Sequence, residues 1–171
     1  ALALSADGNT AIIGETTSPA FYVFVRSGTT WSQQGPMLQG TGSVLGTSSG
    51  AVALSADGNT ALIGSWGTGS GNGAAWVFTR NGGVWSQQGP VINSASVSDS
   101  VVGPGQHFFG QRVSLSSDGN TAMIGAPGDN HAFGAAWMAS FARPSATSTC
   151  PSSTWQLASA TRTLGFFANA T

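Results

Sequence analysis

Few side chains in this sequence can carry chemistry. His107 and His131 are the two histidines, and Cys150 is the lone cysteine, which cannot close an internal disulfide. Beside His131 stand Asp129 and Asn130, and shortly upstream come Ser114, Ser116 and Asp118. A hydroxyl, an imidazole and a carboxylate are the parts of a hydrolytic triad, in which the imidazole takes the serine proton and the acid orients the ring. Ser114 or Ser116 with His131 and Asp118 or Asp129 is therefore the candidate catalytic set. No G-x-S-x-G elbow on a strand-to-helix turn accompanies it. Glycoside hydrolysis needs two acids a few ångströms apart, whereas the acids here are spread over separate turns, with Glu15 the one glutamate. There is no C-x-x-C, no histidine cluster and no phosphate loop, since the glycine-rich GTGSGNG from Gly67 has no lysine after it.

Binding chemistry has more to work with. Trp31 and Trp85 open the same short phrase, WSQQGP, and Trp155 stands before what reads as its worn remnant. Trp76 and Trp137 match one another in the preceding stretch, where Tyr22 takes the earlier position, and Trp66 lies alone in a glycine-rich loop. Aromatics at equivalent positions suit packing between repeated units. Flat rings with Gln and Asn nearby also suit sugar stacking, with the amides bonding hydroxyls. Trp66, Trp31, Trp85 and Trp155 are the candidate ligand contacts, Trp66 foremost. Asp129 and Asn130, in the polar loop GDNH, are the weak candidates for holding a metal.

The bulk composition narrows the classes. The chain has 171 residues, of which 6% are charged and 25 are glycine, with no lysine and a net charge of −1. Soluble domains usually carry about a quarter charged residues. Nothing here offers a basic surface for nucleic acid or anionic membrane, and no apolar run is long enough for a spanning helix. The length suits one domain with an ample core.

The elements that must position these residues repeat. LSADGNTAIIG begins at Leu4, LSADGNTALIG at Leu54 and LSSDGNTAMIG at Leu115. Alternating AVALS, a turn at ADGN and alternating TALIG read as a hairpin, with Gly58 taking the positive φ that the turn needs. AAWVFTR and VWSQQGPVI follow, joined at Asn81-Gly82-Gly83. Four short antiparallel strands per repeat are expected, with TWSQQGPML as the last strand of the first copy. In the third copy the pattern dissolves after Ser140, leaving Trp155-Gln156-Leu157 as a trace. The expected organisation is one all-β domain of three blade-like repeats, 1–50, 51–112 and 113–171, forming a β-propeller or part of one.

Phe109-Gly110, then RVSLSSDGNTAMI and Gly125-Ala126-Pro127-Gly128, resembles an FG-GAP repeat, the blade unit of integrin α-subunit propellers and of many bacterial surface proteins. The resemblance runs over residues 1 to about 140 and is complete only in the third copy. It implies a propeller, and a non-catalytic binding or adhesion module outside the cell or on its surface, contacting protein or glycan through blade loops. Such blades often hold Ca²⁺ in a loop of Asp-x-Asp-x-Asp-Gly type. Here that loop has shrunk to one carboxylate per repeat, Asp7, Asp57 or Asp118, and calcium takes six to eight oxygens; these aspartates are expected to cap turns, with no cofactor.

Two other functions are compatible with the residues: a small ester or lactone hydrolase using the connectors around His107 and His131, and a structural assembly subunit. Propellers close with four to eight blades, so three repeats predict a homo-oligomer or part of a longer propeller chain. The simplest form is a dimer closing six blades. The tail LGFFAN from Leu164 faintly echoes QHFFGQ from Gln106, as if a fourth repeat began there.

Overall fold

A computed structural model describes residues 1–15, 20–42, 50–67, 72–93, 108–129 and 134–141, and the backbone of Ala142 and of residues 156–164. Its twelve strands form three four-stranded antiparallel sheets, each a simple meander. Sheet 1 contains β1 (Leu2–Leu4), β2 (Thr10–Gly14), β3 (Phe21–Ser27) and β4 (Thr30–Gln33). Sheet 2 contains β5 (Val52–Leu54), β6 (Thr60–Ser65), β7 (Ala74–Asn81) and β8 (Val84–Ile92). Sheet 3 contains β9 (Arg112–Leu115), β10 (Thr121–Ala126), β11 (Ala135–Ala142) and β12 (Gln156–Leu164).

Register across the first two ladders is the same in all three sheets. Leu2 pairs Ile13, Val52 pairs Ile63 and Val113 pairs Ile124; across the next ladder Ile13 meets Tyr22, Ile63 meets Trp76 and Ile124 meets Trp137. Period-two alternation then assigns each side chain a face. Sheet 2 is apolar on both faces because it lies between the other two. One face, with Ala61, Ile63, Trp76 and Phe78, closes on Ile12, Phe21 and Val23 of sheet 1. The other, with Leu62, Ala75, Val77 and Ile92, closes on Ala122, Ile124, Trp137 and Ala139 of sheet 3. Each large aliphatic or aromatic side chain so buried stabilises by roughly 1.5–3 kcal/mol. The first strands β1, β5 and β9 neighbour one another in order, so the sheets stack like leaves from a common spine. The row is open: among the described residues, sheet 3 does not return to sheet 1.

Two strands differ from the sequence-based expectation. The first repeat's fourth strand ends at Gln33, followed by Gln34 N–H on the Val23 carbonyl and by the bridge of Leu38 to Phe21, whereas the second extends from Val84 to Ile92 with an irregularity between its partners Ala75 and Val77. In the third repeat β12 starts at Gln156, inside the expected remnant, and pairs with β11 through an irregularity between Ser140 and Phe141.

Candidate functional site

The repeated phrase forms a loop longer than a two-residue hairpin. Strand pairing stops at Leu54 and resumes at Thr60, and a β-turn closes between them through Gly58 N–H on the Ser55 carbonyl at 3.0 Å. The serine and aspartate side chains complete the loop. Ser55 Oγ accepts from Thr60 N–H at 2.9 Å and donates to Asp57 Oδ1 at 2.5 Å; Asp57 Oδ1 also accepts from Asn59 N–H at 2.9 Å, and Oδ2 accepts from Asn59 Nδ2 at 3.1 Å. Ser5, Asp7, Asn9 and Thr10 repeat this network, as do Ser116, Asp118, Asn120 and Thr121. The Ser5 hydroxyl, then the Asn9 amide, lower the Asp7 carboxyl to about 2. The Ser116 hydroxyl and the Asn120 amide lower Asp118 in the same way. Bonds to the ionised form favour it.

The catalytic candidates therefore meet only in part. Ser116 and Asp118 touch, but inside this turn, where the serine proton points at the carboxylate and the oxygen receives an amide. Ser114 sits exposed on β9, facing away from the core. Asp129 is buried in the connection between β10 and β11, and its carbonyl accepts from Gly134 N–H at 3.0 Å. His107, His131, Asn130, Trp155 and Cys150 lie outside the described residues. Among those that are described, no three His, Cys, Asp or Glu side chains converge in a metal-binding group. The oxygens of each turn aspartate accept from Ser and Asn within its own turn.

The tryptophans divide by position. Trp76 and Trp137 are core residues, and Trp76 Nε1 donates to the Thr41 carbonyl at 2.9 Å. Trp85 is half-buried at the junction with sheet 1. Its Nε1 donates to Gln34 Oε1 at 3.1 Å, and Arg80 lies over its ring at 5.4 Å from the centroid. Arg80 also donates to Asn59 Oδ1, Thr10 Oγ1 and Gln34 Oε1, fastening sheet 2 to sheet 1. Trp31, its equivalent on sheet 1, is 42% exposed.

Trp66 belongs to neither core cluster. It follows β6, and its ring meets Phe108, just ahead of β9, edge to face at 5.5 Å. Phe108 has φ at 55°, the left-handed region that non-glycine residues seldom occupy. The β2–β3, β6–β7 and β10–β11 connections all leave the sheets at the end opposite the Asp-Gly turns, so Glu15, Trp66, Phe108 and Asp129 belong to one end of the stack. In the sequence Phe108 is marked only by its place beside Phe109 in QHFFGQ.

Phe109 itself is fully buried, 5.0 Å from Trp137, and forms a parallel bridge with Gly73. Gly64 and Gly110 cross so closely that a Cβ on Gly64 would stand 2.1 Å from the Gly110 carbonyl oxygen. The Phe-Gly pair is a wedge between sheets 2 and 3.

No protein-family model and no curated protein matches the chain. Among solved structures it is similar to a candidate 6-phosphogluconolactonase from Bacteroides fragilis, with TM-score 0.55 and 13% identity, over 91% of this chain and 36% of that one. TolB from Acinetobacter baumannii matches with TM-score 0.42 and 15% identity, over 86% of this chain and 38% of that one. A fucose lectin from Kordia zhangzhouensis, solved with methyl-fucoside, matches with TM-score 0.43 and 10% identity, over 92% of this chain and 96% of that one. The chain thus spans little more than a third of the first two. At such identities the likeness to the first concerns the fold alone.

Proposed function

We propose that the three sheets are consecutive blades of a β-propeller of FG-GAP type, serving as a non-catalytic binding module outside the cell or at its surface. The ligand in this reading is a glycan held at the Trp66 end of the stack. The supporting observation is the Trp66–Phe108 pair: a ring that follows β6 and a ring in the connector ahead of β9 meet outside both cores, and Phe108 holds a positive φ. Strained backbone of this kind persists where surrounding structure holds it, and it gathers at ligand sites. A half-buried indole held against a second ring offers an apolar surface to the C–H face of a pyranose.

A glycan array followed by calorimetry tests this. Binding without turnover is expected, weakened about tenfold or more in Trp66→Ala, as loss of a stacking anchor of roughly 1.5 kcal/mol predicts. A wild-type chain that binds nothing on the array, or a Trp66→Ala variant that binds as well as wild type, overturns the reading. Hydrolysis of an ester or lactone that disappears in His131→Ala points to the enzyme instead.

A further inference from the structure

The two outer faces of the stack are unlike ordinary surface. On sheet 1 the outward face carries Leu2, Leu4, Ile13 and Trp31, which are 79%, 55%, 49% and 42% exposed. Their equivalents on sheet 2 are Val52, Leu54, Ile63 and Trp85, all of which lie against sheet 1. Their equivalents on sheet 3 include Val113, Leu115 and Ile124, which lie against sheet 2. Sheet 3 presents the opposite kind of face. Met123 and Met138 are 48% and 47% exposed there, at the register positions where Leu62 and Val77 of sheet 2, and Ile12 and Val23 of sheet 1, are buried.

The stack therefore has a head and a tail that repeat the two halves of a junction already formed twice inside it. The polar groups continue the same series. Ala6 N–H donates to the Ala56 carbonyl at 3.1 Å, and Ala56 N–H to the Ser117 carbonyl at 2.9 Å. The next step needs Ser117 N–H and another Ala6 carbonyl, both exposed here. Gly58 seats on Ser5 and Thr10, and Gly119 seats on Ser55 and Thr60 so closely that a Cβ would come 2.8 Å from Thr60 Oγ1. The free counterparts are Gly8 at the head and the Ser116–Thr121 edge at the tail. Arg80 reaches back to Thr10; the same reach from Arg26, exposed at the head, leads to a second Thr121.

We infer that the head of one copy of this chain docks on the tail of a second copy, making the junction that sheets 1 and 2 make within the chain. The interface is heterologous, so repeated junctions give a ring where the rotation closes, the smallest being a dimer of six sheets, and an open row where it does not. With one charged side chain, Arg26, named in the contact, and a chain only 6% charged, little repulsion opposes it. This inference does not depend on which ligand the loops hold.

Light scattering behind a sizing column, on the 171-residue chain across micromolar concentrations, is the first test; a mass of two or more copies is expected. The decisive test uses two variants, a head variant with Leu2→Asp and Ile13→Asp and a tail variant with Met123→Asp and Met138→Asp. All four side chains are solvent-exposed, so each variant should keep its fold, checked by far-ultraviolet dichroism. Each should be monomeric alone, and the two mixed should form a one-to-one heterodimer through the remaining good head and good tail. Arg26→Glu, a milder head change, should weaken wild-type association about tenfold, as removal of one interfacial charged contact does. A wild-type chain that stays monomeric throughout overturns the inference. So does self-association of either double variant, or a mixture that stays monomeric.

Discussion

The junction between sheets 1 and 2 and the junction between sheets 2 and 3 are built on the same turns and filled by different means. At the first, Trp76 and Phe78 fill the apolar part, and Arg80, over the Trp85 ring, ties Thr10, Gln34 and Asn59 together. At the second, Ala139 replaces Phe78, Phe141 replaces Arg80, and the missing volume comes from Phe109, inserted from outside the sheet. The exchange has a polar consequence. Asn59 Oδ1 accepts from Arg80 Nε at 2.9 Å, while the buried Asn120 Oδ1 finds no donor among the described residues. A constant backbone scaffold thus tolerates either a charged clamp or an aromatic wedge, provided that the turns still dock.

The largest effect should come from the wedge. Phe109→Ala removes a fully buried ring from beside Trp137 and should destabilise by about 3–5 kcal/mol in denaturant unfolding. A loss below about 1 kcal/mol would mean that the second junction does not rely on that ring.

Next comes the docking of the turns. Gly119→Ala combines a φ of +72° with a Cβ 2.8 Å from Thr60 Oγ1, whereas Gly28→Ala, at φ +61°, meets nothing within 4 Å. Both variants bear backbone strain, and Gly119→Ala should cost about 1–3 kcal/mol more, the range for overpacking a close contact. Equal losses in the two would show that the turns merely neighbour one another.

Arg80→Ala should cost less, about 1 kcal/mol, because a half-exposed clamp is screened by solvent. It should also change Trp85 emission. A loss matching that of Phe109→Ala would reverse the ranking of the two junctions.

The smallest effect is on acid stability. Asp7 titrates at about 2 in the folded chain, against about 3.9 when unfolded. A depressed carboxyl contributes stability that is present above the unfolded value and is lost as pH falls toward the folded one. Thermal unfolding should therefore be level above about pH 4 and decline between about pH 4 and 2, less steeply in Asp7→Asn. Asp118 acts in the same direction. A melting temperature that rises on acidification would contradict the capping role.

Much of this was legible from local pattern. Alternation in AVALS and TALIG is enough for two strands, because period two places one set of side chains on each face whatever lies beyond. Asp57-Gly58 is enough for the turn, because glycine takes positive φ without strain. The three copies likewise announced three equivalent sheets. The candidate site was legible only in part: Trp66 stood out as an aromatic in a glycine-rich loop, but its partner Phe108 is distant in sequence, in the connector that leads to β9.

Tertiary structure decided the rest, since it depends on what faces what. Trp31 and Trp85 open the same phrase, yet one is exposed and the other sits under Arg80, because only sheet 2 has a neighbour on that side. The repeated phrase reads as a turn in sequence. In space it is also the contact between sheets, Ala6 to Ala56 to Ser117, and an inter-sheet hydrogen bond leaves no local trace for a pattern to show.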